Sequence, residues 1–344
     1  MPDDYRQPPA TTNFEGDPRR IGVEVELGGL PLPSVAQIVA DMLEGDVVED
    51  GPFVRKVENT ACGAIGIELD SRPLKERAYA ELLGEAEGSS LMEWFERSVS
   101  AAAQNIVPVE IVTPPLNLEQ LPALDPLWHR LRAAGAEGTR DSVLYAFGLH
   151  LNPDLPALDA DTVLAHLQSF LLLYDWLLRE EDVDISRRVT PFIFPFPESY
   201  RRRVLAPQYR PSLDALIDDY LSENPTRNRA LDMLPLFAHL RPEAIARALP
   251  EDSLVNARPT FHYRLPNCEI GRPDWPPADA WNRWVEVERL AADRGRLRAT
   301  ADEYLALADL PLRLQASGWA ERCAEIVGVS DDREARESRT PVGW

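Results

Sequence analysis

At 344 residues, 44% of them hydrophobic, the chain is long enough to bury a large core in one or two domains. Its 57 acidic against 36 basic residues leave a formal charge of −21, which excludes a general polyanion-binding role, because nucleic acids and anionic membranes are held by clustered Lys and Arg. Lysine occurs only as Lys56 and Lys75, with no Gly-Lys-Ser/Thr sequence, so a Walker A phosphate loop is excluded as well and any bound phosphate falls to arginine and metal.

Residues 1–18 are polar and proline-rich without an apolar signal core and read as a flexible leader. Residues 21–27 alternate with the period of a strand: Ile21, Val23, Val25 and Leu27 on one face, Gly22, Glu24 and Glu26 on the other. Glu24 and Glu26 then stand roughly 6.6 Å apart on one side of a strand. Like charges on a sheet face destabilise it unless a cation lies between them, and a divalent metal would serve. Residues 34–43 are periodic as a helix that stops before Gly45. A second strand sets Ile65, Ile67 and Leu69 against Gly66, Glu68 and Asp70; Glu68 and Asp70 read as solvated. After a helix expected over 90–104, Val109 and Ile111 flank Glu110 before Thr113, Pro114 and Pro115 end the run. A fourth strand opposes Val143, Tyr145, Phe147, Leu149 and Leu151 to Gly148, His150 and Asn152.

Residues 161–178 read as a buried helix with Asp161 as N-cap and His166 as a satisfied core histidine. The run from Pro191 to Pro197, with Phe192, Phe194 and Phe196 between Arg187–Arg188 and Arg201–Arg203, reads as a rigid connector rather than as the wall of a nucleotide pocket. Further helices are expected over 226–248 and 277–327, the latter with Trp281, Trp284, Val287 and Leu290 in the core. Between them a fifth strand opposes Phe261, Tyr263 and Leu265 to His262 and Arg264, and residues 329–344 read as a charged tail. His129 and His239 fall on helices as structural residues. Cys62, Cys268 and Cys323 have no paired spacing, which points to a reducing compartment, the cytoplasm, and no apolar run approaches the ~20 residues of a membrane span. A half-exposed antiparallel sheet alone produces such alternation; it is the residue types of the polar face that point to a site.

Four of these runs resemble, in order, the signatures of the amidoligases, the carboxylate-amine ligases related to glutamine synthetase. They are Arg20-Ile-Gly-Val-Glu24-Val-Glu26, Val109-Glu110-Ile-Val-Thr-Pro-Pro-Leu116, Phe147-Gly148-Leu149-His150, and Asn256-Ala-Arg258-Pro-Thr-Phe-His262-Tyr-Arg264. The resemblance implies an α+β fold: a curved antiparallel sheet of the glutamine synthetase catalytic type, backed by helices. A single domain over 19–328 would hold helical insertions near 154–250 and C-terminal helices near 277–328. It implies ATP and Mg²⁺, or Mn²⁺, on the concave face, with Glu24, Glu26, Glu110, His150 and His262 as metal ligands. Arg264 and Arg258 would act on phosphate as catalytic and nucleotide-binding groups, with Asn256 as a further polar contact. The implied reaction is amide or isopeptide formation through an acyl phosphate, between a carboxylate and an amine on amino-acid or peptide-type substrates. Two departures stand out. His262 replaces the family's usual glutamate, which shifts metal preference toward Mn²⁺ or Zn²⁺ or weakens the site, and Asn152 replaces a second histidine. A silent relative that binds a ligand or protein in the same cleft, and a metal-dependent hydrolase, are the alternatives.

Overall fold

The computed structural model describes residues 5–69, 107–141, 146–184, 187, 193–249, 255–307 and 312–328. Asp70, Val143, Tyr145, Arg188, Pro191, Phe192, the helix expected over 90–104 and the tail expected over 329–344 lie outside them. The fold is α+β, with one open antiparallel sheet.

Strand β1 (Arg20–Leu27) is the axis of that sheet. Helix α1 (Leu32–Leu43) follows, burying Leu32, Val35, Ala36, Val39, Ala40 and Leu43 along one stripe, and ends at Glu44 in a left-handed conformation (φ 54°). Its stripe packs on the meander of β2 (Asp46–Glu49), β3 (Val54–Thr60) and β4 (Gly63–Leu69). The sequence pattern showed only β4, because all four β2 residues are exposed and β3 has no sustained alternation. Next come β5 (Val109–Val112) and β6 (Leu116–Asn117), which share one edge of β1. Glu24 pairs with Val112 and Ile21 with Leu116, so three steps on β1 face four on the other chain: one residue bulges at Thr113–Pro115. Thr113 mends the gap, its Oγ1 accepting from Val23 N at 2.9 Å while its own N–H donates to Val23 O.

After α2 (Asp125–Ala133), β7 (Leu149–Pro153) pairs with the other edge of β1. The fifth expected strand is not a continuous ladder. Residues 260–267 pair with β7 through separate bridges, Asp154 to Thr260, Leu151 to Tyr263 and Gly148 to Asn267. They also carry a further extended segment, in which Leu231 bridges Tyr263 and Asp232 N donates to His262 O. That segment corrects the single helix expected over 226–248, where only α6 (Leu234–Leu240) and α7 (Pro242–Ala248) are helical, preceded by α4 (Glu198–Leu205) and α5 (Leu213–Glu223).

Helix α3 (Ala160–Glu180) is capped by Asp159, not Asp161: the Asp159 carboxylate accepts from Thr162 N at 2.8 Å. The region 277–327 divides into α8 (Pro277–Ala292), α9 (Arg294–Leu307) and α10 (Leu312–Val327). Phe261 and Tyr263 lay their apolar face on Phe170 of α3 and Trp284 of α8, which joins the sheet to the helical layer. Among the described residues, no helix is long and apolar enough to cross a membrane.

Residues 5–18, expected to be too polar to pack, are strapped across the body. Tyr5 donates to Asp125, Arg6 O accepts from Trp281 Nε1, and Arg6 N and Nη1 reach Asn282 and Glu286. Polar side chains here find fixed partners, which composition alone does not reveal. The strap runs into Arg19, whose guanidinium makes two 2.6 Å contacts with Glu288 of α8, both side chains buried. Glu288 also accepts from Trp284 Nε1 at 2.7 Å. Removing one partner strands the other as a buried charge, so Glu288→Ala should lower stability by about 3–5 kcal/mol in urea unfolding; a loss below about 1 kcal/mol would show that the pair does not hold β1 to α8.

Candidate functional site

Cross-strand register decides which side chains meet. Glu26 lies opposite Glu110 and Glu110 opposite Glu68, so one row of three carboxylates crosses β1, β5 and β4. Glu68 is exposed at the end of that row, whereas Glu26 and Glu110 are 8% and 2% exposed. In the next row Glu24 lies opposite His150; one step further, Gly22 lies opposite Asn152. The alternation of residues 260–267 places His262 and Arg264 on this same face, with Asp232 beyond His262. The face is not wet: β1 is buried on both sides from Ile21 to Leu27.

Two glycines make the room. A Cβ on Gly22 would sit 3.3 Å from Asn152 Cβ. On Gly148 it would sit 2.5 Å from His150 Nε2 and 2.9 Å from Arg187 Nη2.

Glu24 is engaged through both of its oxygens. Its Oε1 accepts from Asn152 Nδ2 at 3.0 Å and pairs with Arg258 Nη1 at 3.1 Å, while Oε2 stands 3.2 Å from His150 Nδ1. Burial pushes its carboxyl up, but His262, His150 and Arg258 outweigh that and hold it well below the usual carboxylate range. Glu26 accepts the Gly148 N–H at 2.7 Å through Oε2 and lies 3.9 Å from His150 Nε2 through Oε1. His150 therefore stands between the two glutamates. Burial lowers its pKa and, more strongly, that of His262, against the pull of nearby carboxylates.

Two sets of side chains bring ligand atoms within 4.8 Å of one another: Glu24, His150 and His262, and Glu26, Glu110 and His150. All five residues singled out as ligands from the sequence thus converge on one face. Arg258 reaches it from the loop before residue 260, and Arg264 is held there by a bond from Nη1 to Arg227 O. Asn256 is exposed on the loop two residues before Arg258.

Three further residues belong to the cluster: Asn152, which the sequence places on the polar face as a departure from the family pattern, Arg187, which it places beside the proline-rich connector, and Asp232, which it does not single out. Asn152 links Glu24, Arg258 and His262. Arg187, 1% exposed, donates to the carbonyls of Arg264, Leu265 and Pro266 at 2.5–2.7 Å and abuts His150; burial brings its pKa down to about 10, opposed by Glu26. Asp232 is fully buried, with Oδ1 accepting from Leu234 N and Oδ2 without a hydrogen bond.

The remaining candidates stay outside. Phe196 is buried against Phe170, Tyr200 and Tyr220, and Arg201, Arg202 and Arg203 are ion-paired with Asp175, Glu198, Asp219 and Glu223, so this stretch is a structural connector. His166 donates Nδ1 to Thr162 O at 2.8 Å in the core, and His129 and His239 are exposed on α2 and α6.

A sequence model of the family described as "Putative amidoligase enzyme" matches residues 17–286, a span that contains every residue of this cluster. No curated protein matches the chain.

Gly148→Ala should push the His150 ring and Arg187 aside at a cost of about 1–3 kcal/mol, read as a lowered midpoint in urea; an unchanged midpoint would mean that the ring is not confined. A second expectation concerns Asp232, whose carboxyl is pushed by burial up to about 6 despite Arg227, Arg264 and Arg258. The unfolded chain ionises near 3.8, so the native state holds the extra proton between about pH 4 and 6, and stability falls as pH rises through that window. Asp232→Asn removes the effect: relative to wild type the variant should gain about 3 kcal/mol between pH 4 and 7. Parallel pH–stability curves would count against it.

Proposed function

The chain belongs to the amidoligase family, and we propose that it is an ATP- and divalent-metal-dependent carboxylate-amine ligase, forming an amide or isopeptide bond on an amino-acid or peptide-type substrate through an acyl phosphate. In this reading the open antiparallel sheet is of the glutamine synthetase type and the protein acts in the cytoplasm. The observation that carries the reading is the convergence of three buried carboxylates, two imidazoles and two arginines on one face of adjacent strands.

The donor set fits a metal. Glu26 and Glu110 oppose one another across neighbouring strands while almost wholly buried, an arrangement that like charges disfavour without a cation. Glu26, Glu110 and His150 are the residues that would hold Mg²⁺ or Mn²⁺. Bound there, the ion would neutralise phosphate oxygens of ATP, where most catalysis of phosphoryl transfer is positioning and charge compensation. The protein's own part is to orient. Arg258 is fixed by Glu24 and Asn152 yet its side chain is 28% exposed, so it is aimed but open to an anionic substrate. Arg264 is immobilised from behind by Arg227 O, and Arg187 locks the backbone on which Arg264 sits. Burial of the face excludes water from an activated acyl group.

The test is calorimetric titration of Mg·ATP together with ADP release in mixtures of candidate carboxylates and amines. Glu26→Gln and Glu110→Gln should each weaken Mg·ATP binding at least about tenfold, ~1.4 kcal/mol, and abolish metal-dependent ADP release. Undiminished affinity in both variants would sink the assignment.

A further inference from the structure

Asn152 and His262 touch one another. Asn152 Nδ2 donates to Glu24 Oε1, which turns Oδ1 toward Arg258 Nη2 at 2.8 Å and His262 Nδ1 at 2.7 Å. An amide oxygen only accepts, so the shorter contact assigns the proton of His262 to Nδ1, and Arg258 Nη2, 3.1 Å from that nitrogen, donates to Asn152 Oδ1 instead. The ring's other nitrogen, Nε2, is then the one left for a ligand. That atom is wholly buried and has no hydrogen-bond partner, an unfavourable state for a polar nitrogen. His262 is meanwhile one of three residues, with Glu24 and His150, whose ligand atoms lie within 4.8 Å of each other, and the two rings stand edge to face with centroids 5.3 Å apart.

We propose that Asn152 and His262 act as a pair that presents an imidazole nitrogen beside Glu24 and His150, making a two-histidine, one-carboxylate site for a borderline transition-metal dication (Mn²⁺, Fe²⁺, Co²⁺ or Zn²⁺) in preference to Mg²⁺. Imidazole suits these ions, whereas Mg²⁺ demands oxygen ligands in near-octahedral array. The site serves a hard cation poorly, since Glu24 is its one carboxylate and Oε1 of that group is already taken by Arg258 and Asn152. Asn152 plays the part of an outer partner that orients a ligating histidine by binding its other nitrogen. The pair is thus matched: a histidine ligand and the acceptor that fixes its tautomer.

The proposal does not depend on the ligase reading, because it concerns the metal alone. The full chain, stripped with chelator, is titrated with Co²⁺ in the absence of nucleotide, followed by its visible absorption and by calorimetry, with Mg²⁺ and Mn²⁺ run in parallel. Wild type should bind Co²⁺ with a nitrogen-ligand spectrum and at least about tenfold more tightly than Mg²⁺. Asn152→Ala should weaken Co²⁺ about 10–100-fold, and Asn152→Asp, which keeps the acceptor, should restore most of that loss. His262→Gln should remove the His262 contribution, and adding Asn152→Ala to it should cost little more, because the two act as a unit. Should His262→Gln fail to fold, the Asn152 pair of variants decides. Equal Co²⁺ affinity and spectrum in wild type and both Ala and Gln variants, or Mg²⁺ bound as tightly as Co²⁺, would overturn the proposal. Lack of ADP release with intact Co²⁺ binding would fault the ligase reading and leave this one standing.

Discussion

Three carboxylates on two adjacent strands, Glu24, Glu26 and Glu110, are removed from water together, and much of the surrounding structure answers to that constraint. A buried carboxylate without compensation costs several kcal/mol, and three side by side cost more than the sum, because each raises the field on the others. The chain meets the constraint differently for Glu24 and for Glu26. Glu24 has a guanidinium, an amide and an imidazole around it. Glu26 has a backbone N–H and the far nitrogen of the same imidazole. A single ring, His150, is shared by both, which is why its strand must carry glycine two residues earlier: any Cβ on Gly148 would occupy the volume of the ring.

The same constraint explains why the arginines near the site are held by carbonyls. Arg187 spends its donors on three consecutive backbone oxygens and Arg264 on Arg227 O. Fixed this way, both keep their charge close to the carboxylates without closing an ion pair over them. Arg258 bonds a carboxylate directly, and it does so at Glu24, the carboxylate already engaged by Asn152 and His150. The face therefore has a half around Glu24, engaged by Arg258, Asn152 and His150, and a half around Glu26 and Glu110 that is rich in carboxylate oxygen.

How far the sequence foretold this depends on the kind of signal. Strands β1, β4, β5 and β7 announce themselves through period-two alternation, and that alternation places Glu24, Glu26, Glu110 and His150 on one side without any knowledge of tertiary structure. His262 and Arg264 follow the same rule even though their segment bridges β7 instead of forming a full ladder. What alternation cannot carry is register between distant strands. The contact of Asn152 with His262 spans 110 residues and that of Arg187 with the Arg264 carbonyl spans 77. Asp232 was hidden for a different reason, since its neighbourhood is rich in helix formers while the backbone there is claimed by pairing with residues 262–264. The strapped N-terminal stretch was missed because polar composition measures average affinity for water, not whether a particular asparagine or arginine has a partner waiting.

A buried histidine and a buried asparagine in mutual contact also bear on whether the site has decayed. Random loss of function at a buried acidic cluster would leave unmatched polar groups or fill the space with apolar side chains, as either relieves selection for charge compensation without restoring geometry. Here the amide of Asn152 satisfies Glu24, Arg258 and His262 at once, with every bond between 2.7 and 3.0 Å. Several buried atoms here lack a hydrogen bond, Arg258 Nε, Arg264 Nε, Asp232 Oδ2 and His262 Nε2 among them, and His262 Nε2 is the one that lies in a group already containing a carboxylate and a second imidazole. A buried ring nitrogen without a hydrogen bond, beside a carboxylate and a second imidazole, is the arrangement that the proposed metal site needs.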